Sequence, residues 1–354
     1  MLELSRSASQ LTADLVDVES VSGDEAALAD QVHTALAGLA GLSVERDGNV
    51  VLARTGLGRA QRVVLAGHLD TVPIAANVPS RLDGDLLHGC GTSDMKSGVA
   101  VMLRLAHLVG TAALDPRVDL TWVYYDCEEV EAARNGLGRL ARTRPQTLAG
   151  DLAILLEPTD GLVEGGCQGT LRVEITVPGV RAHSARSWLG ENAIHAAAPV
   201  LASLAAYRAR EVDVDGLRYH EGLNAVAVSG GVAGNVIPDR CVVTVNHRFA
   251  PDRSEDEAFQ HVRSMFEGYD VRLVDSAPAA RPGLSDPLAQ SVVDAVGGPA
   301  RAKLGWTDVA RFATLGIPAV NLGPGDPTLA HKADEHVSLE AVEAVEAALV
   351  RFLS

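Results

Sequence analysis

The sequence lacks the long apolar runs and the excess of positive charge that define several large classes of protein. No apolar run approaches the roughly 18 residues of a membrane-spanning helix. Residues 1–20 have neither the basic start nor the unbroken apolar stretch of a signal peptide. The formal net charge of −16 argues against nucleic acid or an anionic membrane surface as a partner. We therefore expect a globular protein of the cytoplasm.

Cysteine is also scarce, and no two cysteines form a C-x-x-C pair. The four are widely separated, at Cys90, Cys127, Cys167 and Cys241. This pattern argues against a disulfide framework or a thiolate zinc site, and it predicts free thiols in a reducing compartment. Cys90 and Cys127 have no basic neighbour close in sequence to activate a thiolate, so we interpret them as packing residues.

The 354 residues suggest two domains, at about 150 residues per domain. Strand-like and helical segments alternate over residues 1–169 and again over 278–354, which predicts a mixed, mostly parallel sheet flanked by helices. Residues 170–277 instead follow a β-α-β-β-α-β order, typical of a ferredoxin-like α+β module. The sequence therefore predicts a discontinuous α/β domain with an inserted α+β domain.

The segment "AGHLDTVP" places His68 and Asp70 two residues apart at the end of an apolar strand. Side chains two apart on a strand share a face, here at the carboxyl edge where open α/β sheets hold ligands. A carboxylate beside an imidazole is a common way to orient a metal-ligating histidine. The same pair also occurs in purely structural positions, and the motif alone does not decide between the two.

The segment "GCGTSDMKSGVA" is rich in glycine and opens a helix at Asp94. A phosphate-binding loop is one interpretation, but the spacing G-x-x-x-x-G-K-[ST] is absent. Two alternatives are left: Asp94 points its carboxylate into a site at the sheet edge, or it caps the helix N-terminus.

Glutamates end two other apolar strands, in "DCEEVE" with Glu128 and Glu129 and in "LLEPT" with Glu157. An unpaired buried carboxylate costs several kcal/mol, so glutamates at the ends of buried strands indicate a functional role. A loop before the last helix adds His331, with His336 as a competing candidate.

These strand-end and loop segments contain a mixed set of candidate metal ligands, two histidines and three carboxylates: His68, Asp94, Glu129, Glu157 and His331. Nitrogen and oxygen ligands together favour zinc, cobalt or manganese over calcium or magnesium. One carboxylate that bridges two ions would make a two-metal hydrolytic site. Glu128 is then left over as the group that accepts a proton from the attacking water.

Over essentially its whole length the chain resembles the M20 family of dinuclear-zinc metallopeptidases and deacylases. The motifs that carry the resemblance are "GHLDTVP", "GCGTSDMKSG", "CEEVE", "LEPT", "AHSARSWLGENAIH" and "AHKADEHV". Within the family the chain looks most like the actinobacterial desuccinylases of N-succinyl-LL-2,6-diaminopimelate. The resemblance implies a zinc-exopeptidase-like catalytic domain and a lid domain that mediates homodimerisation.

The resemblance also implies a role for each matching residue. Two zinc ions, which cobalt or manganese can replace, would be held by His68 with Glu157 and by Glu129 with His331, with Asp94 as the bridge. Asp70 would orient His68, Glu128 would be the general base and acid, and a cis peptide would follow Asp94. In the lid, His183 would reach the partner's site to stabilise an oxyanion, while Asn235 and Arg248 would hold the substrate and its carboxylate.

Two segments depart from the family pattern. Cys167 and Gln168 stand where some desuccinylases carry arginines, and Trp306 lies in a loop where Gly-Thr-Ser-Asp is more usual. Both affect the choice of acyl group rather than the metal set. The resemblance implies that the substrate is N-succinyl-LL-2,6-diaminopimelate, a small N-acyl amino acid that is hydrolysed to succinate and LL-2,6-diaminopimelate in lysine and cell-wall synthesis. The alternatives are acetylornithine deacetylase, aminoacylase or carboxypeptidase activity, or a catalytically silent binding protein.

Overall fold

The alternating segments fold into ten α-helices and nineteen β-strands over residues 2–354, the part of the chain that this computed structural model describes. The helices are α1 (Ala8–Val16), α2 (Ala26–Ala37), α3 (Ser97–Gly110), α4 (Gly136–Thr143), α5 (Ala193–Ala196), α6 (Ala198–Ala205), α7 (Glu255–Met265), α8 (Pro287–Val296), α9 (Val309–Thr314) and α10 (Leu339–Leu353). The strands are β1 (Ser43–Asp47), β2 (Val50–Arg54), β3 (Arg62–His68), β4 (Arg81–Asp83), β5 (Leu86–His88), β6 (Asp119–Tyr125), β7 (Leu152–Leu155), β8 (Glu164–Gly165), β9 (Gly169–Pro178), β10 (Ala182–His183), β11 (Glu211–Val214), β12 (Leu217–His220), β13 (Gly222–Gly230), β14 (Val236–Ile237), β15 (Arg240–Phe249), β16 (Asp270–Ala277), β17 (Arg301–Ala302), β18 (Ala319–Asn321) and β19 (His336–Ser338).

The chain divides into two compact units. The first contains the residues up to Gly165, Pro282–Arg301 and Thr307–Ser354, and the second contains Gly166–Arg281 and Ala302–Trp306. Among residues 2–354, none of the helices combines the length and the apolar character that crossing a bilayer requires.

The first unit is built on an eight-stranded mixed sheet in the order β1-β2-β6-β3-β7-β18-β8-β17. Its centre, β6-β3-β7-β18, is parallel, whereas β1, β2 and β8 pair antiparallel with their neighbours. Every residue of β6 and β7 is buried, as expected for strands covered on both faces. The predicted mixed α/β sheet is confirmed.

Helices α1, α3, α8 and α10 contribute their apolar faces to the core of this unit. Leu11, Leu15, Val99, Met102 and Leu349 are fully buried there together with residues of the parallel strands. A small antiparallel sheet in the order β19-β5-β4 lies beside α10, whose first residue directly follows β19.

The second unit contains a four-stranded antiparallel sheet in the order β13-β15-β9-β16. Along the chain the elements run β9, α5 and α6, β13, β15, α7 and β16, which is the β-α-β-β-α-β order predicted for a ferredoxin-like module. Strand β9 alternates buried and less buried residues, so that one face of the sheet packs against the helices.

Candidate metal centre

The candidate ligands of the first unit follow the carboxyl ends of neighbouring parallel strands. His68 is the last residue of β3, Glu129 follows β6, Glu157 follows β7, and His331 lies in the loop after β18. Because these strands run in the same direction, their carboxyl ends share one edge of the sheet. Asp94 lies in a turn, Thr92–Lys96, whose backbone is non-helical at Asp94 and Met95 and which leads into α3.

Two glycines allow the backbone to come close to the end of β7. A Cβ atom at Gly98, in the first turn of α3, would lie only 2.2 Å from the carbonyl oxygen of Leu156. A Cβ at Gly323, after β18, would lie 2.3 Å from the same oxygen. No side chain fits at these distances, so glycine at both positions is what lets α3 and the β18 loop approach Glu157.

Two groups of ligand atoms share Asp94. Donor atoms of His68, Asp94 and Glu157 all lie within 4.8 Å of one another, and so do those of Asp94, Glu129 and His331. The two carboxylate oxygens of Asp94 face different histidines: Oδ1 is 3.2 Å from Nε2 of His68, and Oδ2 is 3.6 Å from Nε2 of His331. This is the arrangement of a carboxylate placed to bridge two cations.

The donor set fits two metal ions. Each group offers one imidazole nitrogen and two carboxylates, a combination that zinc accepts in open catalytic sites. Nε2 of His331 also lies 2.9 Å from Oε1 of Glu129. His336, the competing candidate, belongs to neither group: its Nδ1 is 2.8 Å from the carbonyl oxygen of Asp334.

Asp70 anchors both His68 and the segment that carries the paired glutamates. Nδ1 of His68 is 3.0 Å from the Asp70 carbonyl oxygen and 3.5 Å from its carboxylate, which directs Nε2 towards Asp94. The Asp70 carboxylate also accepts the backbone N–H groups of Glu128 and Glu129, each at 3.0 Å. One buried carboxylate thus orients a candidate ligand histidine and the backbone of the neighbouring loop.

The carboxylate of Glu128 lies within 4.8 Å of ligand atoms of His68 and Glu129. Burial raises the pKa of Glu128 well above its usual value. The carboxylates of Glu157 and Asp308 reinforce that rise, and His68 opposes it. A carboxyl group that binds a proton this readily is suited to take one up and return it.

The carboxylates of the cluster favour the protonated form of both candidate histidines. Hydrogen bonds with Asp94 and Glu129 raise the pKa of His331 to about 10. Burial acts to lower the pKa of His68, but bonds with Asp70 and Asp94 outweigh it and hold that pKa well above its usual value. Burial likewise acts to raise the pKa of Asp94, yet the two histidines lower it. Cations that bind here must therefore displace protons from both imidazoles.

The backbone at Asp94 decides between the two alternatives that the sequence left open for this residue. Asp94 has φ −122° and ψ 93°, and α3 begins only at Ser97 with no side-chain cap. The alternative that Asp94 caps the helix is therefore wrong, because its oxygens are turned towards His68 and His331. The peptide bond between Asp94 and Met95 is cis, as expected.

Sequence reasoning missed several buried groups that support this centre. The Ser22 hydroxyl donates to Asp70 over 2.7 Å. Glu25 is fully buried and accepts the backbone N–H of Cys127 at 3.2 Å, directly before the paired glutamates. Buried Asp308 is held by Asn135 and by an ion pair with Arg311. No local pattern indicates these roles, since each depends on contacts between distant segments.

His183 and Asn235 lie together in the second unit, on the paired strands β10 and β14 and the residues beside them. The Asn235 carbonyl accepts the backbone N–H of Ser184 at 2.9 Å. Nδ1 of His183 accepts the backbone N–H of Ala185 at 3.0 Å, so the neutral imidazole carries its proton on Nε2. Both His183 and Asn235 are exposed, and an Nε2–H donor is therefore presented on the surface of this unit.

Arg248 lies on β15 of the same unit, opposite Gly222 on β13. Within residues 2–354, no hydrogen bond joins Arg248 to His183 or Asn235, and no carboxylate forms an ion pair with it. Burial lowers the pKa of Arg248, which marks its guanidinium as partly desolvated. Gln168, by contrast, is engaged in the fold: its amide donates to the His220 carbonyl over 2.6 Å.

The cluster of histidines and carboxylates at the carboxyl edge of the parallel strands is a donor set suited to a metal-dependent hydrolase. The sequence model of peptidase family M20/M25/M40 matches residues 64–354. The chain therefore belongs to the M20 family of peptidases, a metal-dependent and typically dinuclear family.

Individual relatives extend this likeness to the full chain. The chain is 50% identical over 352 residues to the succinyl-diaminopimelate desuccinylase of Corynebacterium glutamicum, which covers 97% of this chain and 95% of that protein. It is 58% identical over 356 residues to the provisionally named succinyl-diaminopimelate desuccinylase DapE of Mycobacterium tuberculosis, covering 100% and 99%. The crystal structure of a Staphylococcus aureus tripeptidase shares the fold, with a TM-score of 0.81 at 20% identity over 100% and 98% of the two chains.

Proposed function

We propose that this protein is a zinc-dependent amide hydrolase that removes succinate from N-succinyl-LL-2,6-diaminopimelate. The products are succinate and LL-2,6-diaminopimelate, an intermediate of lysine and cell-wall synthesis. The observation that carries the chemistry is the sharing of Asp94 by two ligand groups. The substrate is supported by 50–58% identity to two proteins named for this activity over nearly their whole length.

Two zinc ions fit the ligand groups, with cobalt or manganese as substitutes. His68 and Glu157 would hold one ion, Glu129 and His331 the other, and Asp94 both. When bound, such a pair of ions polarises the amide carbonyl and lowers the pKa of water. The cytoplasm is the proposed location, in keeping with four buried cysteines that are all free thiols.

Glu128 moves the proton in this reaction. Its carboxylate takes a proton from the attacking water, whose oxygen forms a bond to the amide carbon. The carbon–nitrogen bond then breaks, and Glu128 returns the proton to the leaving amine. Asp70 keeps Glu128 in place through the backbone N–H that it accepts.

His183 donates from Nε2 to the oxyanion that forms on the amide carbonyl, acting from a second copy of the chain. Its support is the hydrogen bond from Ala185, which reserves Nδ1 as an acceptor and leaves Nε2–H as the donor. A donor fixed in this way stabilises developing negative charge without reorganisation.

Arg248 binds a substrate carboxylate. A guanidinium that is partly buried and lacks an acidic partner within residues 2–354 is suited to an anionic ligand. Asn235 contributes a further polar contact from the exposed loop beside His183.

The second unit forms the homodimer and serves as the lid. Strand β13 is a terminal strand of its sheet, so one of its backbone edges is unpaired. Val226 and Val228 on this strand are 58% and 51% exposed. An unpaired strand edge with exposed apolar side chains favours pairing with a second copy.

Light scattering tests the dimer. It should give twice the mass of one chain for the wild type, and Val226→Lys should reduce the mass to that of one chain. A wild-type protein of single-chain mass would overturn the dimer.

A kinetic panel tests the substrate. Purified protein loaded with zinc is compared on N-succinyl-LL-2,6-diaminopimelate, N-acetylornithine, an N-acetyl amino acid and a dipeptide. We expect the highest kcat/KM for the succinyl compound, and removal of zinc with a chelator should abolish turnover until zinc is restored. A preference for N-acetylornithine would overturn the succinyl assignment, and turnover insensitive to the chelator would overturn the metal chemistry.

A further inference from the structure

Glu335 is a buried acidic residue at the centre of a set of backbone donors. The residue is only 2% exposed, although it follows an exposed loop. Its Oε1 accepts the backbone N–H groups of Ser93 at 2.8 Å and of Asp94 at 3.0 Å. Its Oε2 accepts the backbone N–H of Gly91 at 2.9 Å. One carboxylate therefore satisfies three donors of the turn that presents Asp94.

Further bonds join the same two segments. The backbone N–H of Gly89 donates to the Glu335 carbonyl at 3.1 Å, and the Ser93 hydroxyl donates to the His336 carbonyl at 2.9 Å. Glu335 stands four residues after His331, and its own N–H donates to the Lys332 carbonyl. Glu335 thus ties the loop that carries His331 to the turn that carries Asp94.

The chemistry of these contacts requires a carboxylate. An ionised carboxylate has acceptors on both oxygens, which matches donors that converge from three N–H groups. A glutamine would present N–H groups to the Gly91 donor, and an alanine would leave three buried N–H groups without an acceptor. Within residues 2–354 no side chain forms an ion pair with Glu335, and burial of such a charge is costly, so packing alone does not account for the contact.

We propose that Glu335 is a positioning residue, which sets the separation between the bridging Asp94 and His331 and so the affinity for the second metal ion. This inference rests on the proposed two-metal centre. Asp94 belongs to both ligand groups, but only the group with Glu129 and His331 has two of its members attached to the Glu335 segment. Loss of the carboxylate should therefore weaken the second equivalent of metal more than the first.

The test compares Glu335→Gln with the wild type by calorimetric titration of metal-stripped protein with Zn²⁺, and with Co²⁺ followed by visible absorption. We expect the second equivalent to bind about 10–100-fold more weakly, with a changed Co²⁺ spectrum, while the first equivalent is affected less. Glu221→Gln is the matched control, since Glu221 is a buried glutamate of the second unit that also accepts a backbone N–H. It should lose thermal stability with no change in either metal affinity.

The outcomes separate the inference from the proposed centre. If Glu335→Gln binds both equivalents like the wild type, Glu335 is not a positioning residue, whatever its effect on thermal stability. If the wild type itself binds fewer than two equivalents, the two-metal centre is wrong. Should Glu335→Gln fail to fold, Glu335→Asp keeps the charge but shortens the reach to the three N–H groups, and it should weaken the second equivalent in the same direction. Wild-type affinity for both equivalents in a folded Glu335→Asp would then overturn the inference.

Discussion

The candidate residues of the two units are held in place in different ways. In the first unit, His68 and Asp70 are 1% and 0% exposed, and each makes several polar contacts with other strand ends. In the second unit, His183 and Asn235 are exposed and held mainly by bonds to neighbouring backbone. The candidate ligands are thus fixed by many contacts at the sheet edge, whereas the proposed substrate-binding groups His183 and Asn235 are exposed on the second unit.

This contrast predicts that substitutions have different effects in the two units. A change at the sheet edge alters several hydrogen-bonded segments together, because Asp70 alone contacts His68, Glu128, Glu129 and Ser22. A change at the surface of the second unit alters one contact at a time. We therefore expect substitutions in the first unit to affect metal binding or the chemical step, and those in the second to affect substrate binding.

Glu128→Gln should produce the largest effect on turnover. The amide cannot take up the proton of water, so kcat should fall by about 10²–10⁴-fold, with two metal ions retained because Glu128 is not among the proposed ligands. Turnover is measured by release of succinate and metal content by elemental analysis. Glu131→Gln, an exposed neighbour in the same loop, is the control. Full activity of Glu128→Gln would refute the assigned base.

His183→Ala should lower kcat by about 10²–10³-fold, the usual cost of one oxyanion donor. Because His183 is proposed to act from the second copy, mixing this variant with Glu128→Gln should restore activity. Half of the randomly mixed dimers would each contain one intact site, giving about a quarter of wild-type activity. Absence of any recovery after subunit exchange would contradict action across the dimer.

Arg248→Lys should raise KM by about 10-fold or more with little change in kcat. Lysine keeps the charge but loses the planar pair of donors that matches a carboxylate. Arg240→Lys, an exposed position on the same strand, should leave KM unchanged. An equal fall in kcat at constant KM would show that Arg248 acts in the chemical step instead.

Glu221→Gln tests the stability of the second unit and should have no effect on turnover chemistry. Burial acts to raise the pKa of Glu221, but hydrogen bonds from Arg210 and from the Ala250 N–H lower it overall. A lowered pKa in the folded state stabilises the protein above the unfolded pKa of about 4.3. That contribution is lost as the pH falls through the lower, folded-state pKa.

Glu221→Gln should therefore lower the free energy of unfolding by about 1–3 kcal/mol at pH 7, and by less below pH ~4. Urea unfolding of the metal-stripped protein at both pH values measures this difference in free energy of unfolding. Glu267→Gln, at an exposed position, is the reference. An equal cost at both pH values would mean that the charge of Glu221 contributes nothing.

Much of the candidate metal centre could be predicted from the sequence because its proposed ligands follow strand ends. A parallel sheet brings the carboxyl ends of β3, β6 and β7 together, so His68, Glu129 and Glu157 follow from the order of elements alone. The ferredoxin-like order of the second unit is likewise visible in its alternating strands.

The supporting contacts could not be predicted. Glu335 reaches the turn at Asp94 across 241 residues of sequence, and Ser22 reaches Asp70 across 48. Hydrogen bonds from side chains to distant backbone leave no periodic pattern in the sequence. For the same reason the sequence could not decide whether Asp94 caps α3, because the turn before the helix is held by Glu335, which accepts the N–H groups of Gly91, Ser93 and Asp94.

The most direct test of the central claim is a crystal structure of the zinc-loaded protein with anomalous scattering recorded at the zinc edge. The shared carboxylate of Asp94 predicts two peaks about 3.5–4 Å apart, one beside His68 and Glu157 and the other beside Glu129 and His331. Glu129→Ala should lose the second peak and keep the first. A single peak in the wild type, or two peaks that do not share Asp94, would contradict the two-metal centre.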